Sequence, residues 1–153
     1  MYKFTESFPY LLNCVGVRMG DLFSRRIASY GVTLPMYRVM AALHEVPGQR
    51  LNDLADMTTI ELSTLSRLIG TMEKTKLVSR SRLENNARTV AISLTNAGEK
   101  LLQQLVPIAQ HFEAVAIGNL SPTELKALKK NLSDIFLLLD KLEEELAAPA
   151  DES

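Results

Sequence analysis

The side chains with the most evident chemistry gather in residues 58–95. Leu62, Leu65, Ile69 and Met72 recur at i, i+3, i+7 and i+10, which predicts one apolar helix face over residues 61–75. At 100° per residue the opposite face carries Ser63, Thr64, Arg67, Gly70, Thr71 and Lys74. It is short, hydroxylated and cationic, with no carboxylate at its centre. Serine and threonine hydroxyls can bond base edges or phosphates, and arginine can fork onto guanine, so this face suits a DNA major groove. An ordinary solvated helix face would look much the same.

The residues that follow separate the two readings. Residues 77–83 and 88–95 are β-branched runs with period-two alternation, which predicts two strands. Val90, Ile92 and Leu94 fall on one face, and Arg80 and Arg82 share a face of the first strand. Glu84-Asn-Asn-Ala87 supplies a polar turn, asparagine being tolerant of left-handed backbone. From residue 62 to 95 there are six Lys/Arg and two Glu, a local charge of +4 in a chain of net −1. A basic helix joined to a basic hairpin reads as a winged helix-turn-helix. The helix would enter a major groove while the wing's arginines track phosphates or an adjacent minor groove.

The elements that must position this unit run the length of the chain. Phe8, Leu11, Leu12, Val15, Met19, Leu22, Phe23 and Ile27 give residues 7–30 a helical stripe, with Gly31 as its stop. Thr33 and Pro35 open a second helix to about residue 45, with Val39, Met40 and Leu43 inward, and Val46-Pro-Gly48 ends it. A short helix over 51–57, with Leu51, Leu54 and Ala55 inward, and a turn at 58–60 complete a helix-turn-helix. Asn96 with Glu99 resembles a capping box for a long helix, with Leu101, Leu105, Ile108, Phe112 and Val115 as its stripe and Pro107 as an interior kink. Ser121 and Pro122 open the last helix. Its Leu125, Leu128, Leu132, Ile135, Leu139, Leu142 and Leu146 are spaced 3, 4, 3, 4, 3, 4, an a/d seam. The seam suits either the domain's own first helix or a second subunit; the extra apolar surface of Phe136, Leu137 and Leu138 favours the subunit. Residues 113–153 carry −5 and should be held away from DNA, and 147–153 read as a frayed tail.

The whole chain excludes several classes of function. Its 153 residues make one domain-sized unit with room for a core. One cysteine excludes an internal disulfide and a Cys-rich zinc site. There is no Gly-rich phosphate loop, no His pair at metal spacing and no G-x-S-x-G, so neither an enzyme, a metal nor a cofactor is expected. The first residues lack a signal peptide's apolar core, and the longest aliphatic or aromatic run, 135–139, is too short to span a bilayer. A soluble, cytoplasmic protein without membrane contact is expected.

The order of elements and several motifs resemble the MarR family of bacterial transcription regulators over nearly the whole chain. The resemblance rests on Gly31-Val-Thr-Leu-Pro-Met-Tyr-Arg-Val-Met40, Leu51-Asn-Asp-Leu-Ala55, Ser63-Thr-Leu-Ser-Arg-Leu68, Glu73-Lys-Thr-Lys-Leu-Val78, Arg80 and Leu94-Thr-Asn-Ala-Gly98. It implies a mainly α fold with a small β-wing, in which a winged helix over 34–95 joins dimerisation helices over 1–30 and 97–147. It also implies a homodimer on double-stranded DNA, most often a repressor released by a small phenolic or aromatic acid, an acyl-CoA thioester or an oxidant. Residue by residue it carries DNA contact to Ser63, Thr64, Ser66 and Arg67 and to the wing's Arg88; Phe8 and Leu11 join the leucine seam in the dimer interface. Two positions depart from the family. Asn86-Ala-Arg88 lacks the usual Asp-x-Arg acid, so Asn85 and Asn86 become candidate DNA contacts, and Gly70 stands where Asp is common.

Two readings of what the chain responds to compete. A crevice for an aromatic acid needs an apolar slot with a few polar groups, for which Arg18, Tyr37, His44 and His111 are candidates. A surface ion pair, a core tyrosine and packing histidines account for the same residues. Alternatively Cys14 is a redox switch, as in the organic-hydroperoxide branch, with Arg18 one turn away to lower its pKa; a lone cysteine on an apolar helix also serves simply as packing. In a different class, the winged helix serves as a protein-interaction module.

Overall fold

The computed structural model describes residues 1–83 and 85–149, without the side chain of Ala87. Glu84 of the expected wing turn and residues 150–153 of the expected tail lie outside them. The chain divides into two compact units, residues 1–112 and 113–153.

In the first unit a 3-10 turn at Phe4–Glu6 leads into α1 (Phe8–Ile27), and a second 3-10 turn ends at Gly31 with φ 71°, the left-handed stop that glycine permits. Helix α2 (Leu34–Glu45) opens as expected: the Thr33 hydroxyl accepts from the Met36 N–H, and Pro35 fills the first turn, where its missing N–H costs nothing. Helix α3 (Leu51–Thr58) and helix α4 (Leu62–Lys74) are joined by Thr59, which takes a left-handed φ of 56°. Strands β1 (Val78–Leu83) and β2 (Asn86–Leu94) pair antiparallel, Val78 opposite Leu94 and Arg82 opposite Val90, with a bulge between Arg82 and Leu83. Helix α5 (Asn96–Ala116) continues through Pro107, which leaves one turn without its backbone bond.

The core of this unit lies beneath α4. Val39, Met40 and Leu43 of α2, Leu54 of α3, Leu65, Ile69 and Met72 of α4, Val78 and Ile92 of the hairpin, and Leu102 and Leu105 of α5 are buried together. Several expected stripes shift. Leu62, read as inner, is exposed, and the buried set of α4 runs from Leu65. Val90 and Val115 are exposed, and Leu102 is the fully buried residue of its turn. Most of the apolar stripe of α1 is also open: Phe8, Leu11, Leu12 and Val15 are each about half exposed, and burial begins at Phe23.

Two junctions organise the wing. Gln49 forms a β-bridge with Ile92, donating at 3.1 Å and accepting at 2.8 Å, and its buried side chain donates to the Ala42 carbonyl. On the other side, α5 is capped by Thr95 rather than Asn96. The Thr95 hydroxyl accepts from the Gly98 N–H at 3.0 Å and donates to the Lys76 carbonyl at 2.6 Å. A carbonyl one strand away decides between two equally good capping residues, and Glu99 turns to His44 instead.

In the second unit, Ser121 and Glu124 form a reciprocal capping box for α6 (Pro122–Leu138). The expected single last helix is two: α7 (Asp140–Ala147) starts after a one-residue break at Leu139, whose backbone remains right-handed at φ −66°, ψ −19°. Ala147, read as the start of a frayed tail, closes α7. Leu128, Leu132, Leu139, Leu142 and Leu146 are exposed, and Ile135 is half-buried. No helix of the described residues is long and apolar enough to cross a membrane.

Candidate nucleic-acid interface

Burial of Leu65, Ile69 and Met72 fixes the rotation of α4 and leaves Ser63, Thr64, Ser66, Arg67, Thr71 and Lys74 on its solvent side, all exposed. Gly70 is half-buried, yet a Cβ built on it meets nothing within 4 Å. Gly70→Ala should therefore stabilise the protein by about 1 kcal/mol through helix propensity. Thermal unfolding at one fixed concentration checks this; a lower Tm would place an unseen constraint at Gly70.

The outer face is bonded internally more than its composition suggests. The Glu61 carboxylate, just ahead of α4, accepts from the Ser63 hydroxyl at 2.5 Å and from the Thr64 hydroxyl at 3.1 Å. Those two bonds, with a smaller contribution from the Arg67 charge, hold the Glu61 carboxyl below the usual carboxylate range. The Thr71 hydroxyl donates back to the Arg67 carbonyl at 3.2 Å. Sequence reasoning missed Glu61, although hydroxyls two and three residues after an acid were a signal for it. An open cleft of about 750 Å³ runs beside it, lined by Asn52, Ala55, Asp56, Thr59, Ile60, Glu61 and Leu62.

On the wing, Arg80, Arg82, Asn85, Asn86 and Arg88 are exposed. Pairing places Arg80 opposite Ile92 and Arg82 opposite Val90, so the arginines share the face that is apolar nearer α4. Arg80 reaches back to Glu73 of α4, Nε to Oε2 at 3.3 Å, and ties wing to helix. Asn86 acts at the tip: its Oδ1 accepts from the Arg88 N–H at 3.1 Å, an Asx turn that uses the side-chain oxygen internally.

The four effector candidates separate. Tyr37 packs edge-on to Phe23 at 4.8 Å, Phe23 meets Phe112 at 5.6 Å, and His111 lies 6.2 Å from Phe112, so Tyr37 and His111 flank one aromatic row. His44 instead sits 2.9 Å from Glu99, and Arg18 is exposed on α1. A cleft of about 300 Å³ lined by Tyr37, Arg38, Ala41, Ala42, Glu45, Met57 and Thr58 includes none of the other three. Cys14 is exposed, and its thiol one turn away raises the Tyr10 phenol above its ordinary pKa. Among the described residues no group of His, Cys, Asp or Glu gathers to hold a metal ion.

A short helix, a turn, an exposed polar second helix and a basic hairpin define a winged-helix DNA-binding protein. Residues 32–90 match the model of the MarR family. The transcriptional regulator HosA of Escherichia coli O157:H7 is 31% identical over 93 residues, 61% of this chain and 69% of HosA. The organic hydroperoxide resistance transcriptional regulator of Bacillus subtilis is 25% identical over 143 residues, 94% of each chain. The solved structure of Bordetella bronchiseptica BpsR, whose DNA binding is regulated by 6-hydroxynicotinic acid, superposes with a TM-score of 0.79 at 27% identity, covering 88% of this chain and 96% of that one. The chain belongs to the MarR family: it is a DNA-binding transcriptional regulator and not an enzyme. The protein-interaction reading of the winged helix gives way to that membership.

Proposed function

We propose that this chain is a homodimeric repressor whose two α4 helices read a pseudo-palindromic operator, with half-sites about one helical turn (~34–36 Å) apart. The observation that carries the reading is the exposed polar face of α4, bearing Arg67 and Lys74, beside a hairpin bearing Arg80, Arg82 and Arg88. Ser63, Thr64, Ser66, Arg67, Thr71 and Lys74 address the groove, and the wing's arginines with Asn85 address the backbone. Dimerisation uses residues 1–30 and 97–147. Phe8 and Leu11, and separately Leu128, Leu132, Leu139 and Leu142, are large apolar side chains left exposed, as at an interface. Selection from a random duplex pool tests the reading: a two-fold symmetric winner supports it, and a pool that never enriches at low salt overturns it.

An aromatic acid or its CoA thioester is the effector we infer. What supports it is the clustering of Tyr37, Phe23 and Phe112 with the exposed His111 at one end, aromatic and polar groups of the kind an aromatic acid needs. The similarity to BpsR makes 6-hydroxynicotinic acid the first probe. A second reading has support of its own, an exposed Cys14 one turn from Tyr10 in a chain similar along its length to an organic hydroperoxide regulator. If Cys14 is the sensor, hydroperoxide releases the wild type from DNA while Cys14→Ser stays bound. Release of both proteins alike, or of neither, excludes it.

A further inference from the structure

The bonds that Glu61 accepts decide what the first turn of α4 can offer a nucleic acid. Ser63 and Thr64 each have one hydroxyl proton, and both protons point at the Glu61 carboxylate. The side chains of this turn then offer outward only lone pairs, those of two hydroxyl oxygens and of the Glu61 carboxylate. The adjoining cleft adds the Asp56 carboxylate and the Asn52 carboxamide, and no cation. Phosphate oxygens are acceptors too, so the Glu61 carboxylate itself is a poor partner for the DNA backbone and a good one for a donor.

In the major groove the donors are the exocyclic amines, N4 of cytosine and N6 of adenine. Adenine sets its N7 lone pair beside N6, where a carboxylate would be repelled, and guanine presents only the acceptors N7 and O6. Cytosine offers N4 without a neighbouring acceptor on the same base. We propose that Glu61 is a specificity-determining residue that accepts from cytosine N4 at one position of each half-site. Ser63 and Thr64 act as positioning residues that hold its carboxylate. Arg67 lies close enough for its charge to be felt at Glu61, so one helix face carries an acceptor for cytosine beside a fork for guanine. The proposal rests on the DNA-binding reading of α4.

The test is parallel selection from a random duplex pool with wild type, Glu61→Gln and Glu61→Asp, followed by competition titration of single-base variants. The wild type should enrich cytosine at one column per half-site, with roughly 10- to 100-fold loss on changing it. Glu61→Gln should shift that column to adenine, because a carboxamide pairs with N6 and N7 together, and leave the other columns unchanged. Glu61→Asp, with the charge drawn back by one methylene, should keep cytosine with weaker discrimination. Ser63→Ala should likewise weaken the column without changing its base. Identical motifs from all the proteins would overturn the proposal. So would a Glu61→Gln variant that binds every sequence more tightly with its preferences intact, since Glu61 would then be only a repelling charge. Should Glu61→Gln fail to fold, by circular dichroism, the Glu61→Asp and Ser63→Ala columns decide alone. Failure of the wild type to enrich any motif would instead refute the DNA reading of α4.

Discussion

Gly98→Ala should lower stability by about 3 kcal/mol, near the upper end of overpacking costs. A Cβ at Gly98 would stand 2.2 Å from the Leu77 carbonyl oxygen and 3.0 Å from Leu94 Cδ2. The leucine side chain can yield, but the carbonyl cannot: it accepts from the Thr95 N–H at 3.1 Å, inside the same junction that caps α5. Relief would require α5 to lift from β1 or the Thr95–Lys76 bond to break. For a chain of this length the loss corresponds to a Tm lower by roughly 6–12 °C, compared at equal protein concentration because a dimer's Tm depends on it. A Tm within a degree of wild type would mean that α5 does not approach the hairpin this closely. Gly70→Ala, with nothing within 4 Å, is the matched control.

Arg67→Ala should lower affinity for the cognate operator by roughly 10- to 100-fold while leaving non-specific binding much less affected, the expected loss for one base-reading fork. Arg67 is exposed on α4, and its position is fixed by the burial of Leu65 and Ile69 on either side of it. Arg82→Ala belongs to the other class. It should weaken all sequences alike and flatten the salt slope by about one unit per protomer. Arg80→Ala should do the same and more, since it also leaves the Glu73 carboxylate without its 3.3 Å partner. Competition titrations of cognate and scrambled duplexes separate the classes. If Arg67→Ala and Arg82→Ala behaved identically, the assignment of helix to bases and wing to phosphates would be wrong.

Much of this frame was legible in the residues. The 3.6-residue period, the Thr33 and Ser121 caps, Gly31 and the alternation of 88–94 each follow from local chemistry that no distant contact overrides, and they located α2, α4, α6 and the wing. Two of the misses were decided by a partner far away in sequence, and two by local geometry that composition does not show. Thr95 displaces Asn96 as the cap because Lys76 offers its hydroxyl a carbonyl. The pairing of Gln49 with Ile92 is a single-residue bridge without periodicity. The break at Leu139 interrupts a leucine repeat that continues on both sides of it. At the interface, composition identified a cationic hydroxylated face but not which way its hydroxyl protons point, and Glu61 makes that difference.

The central claim, that α4 reads sequence while the wing holds the backbone, is tested most directly by titrating the selected operator and a scrambled duplex at two salt concentrations. The expected result is a preference of at least about 10³-fold for the operator, and a steep fall in affinity with salt for both duplexes. Equal affinity for the two duplexes, or binding indifferent to salt, would contradict it.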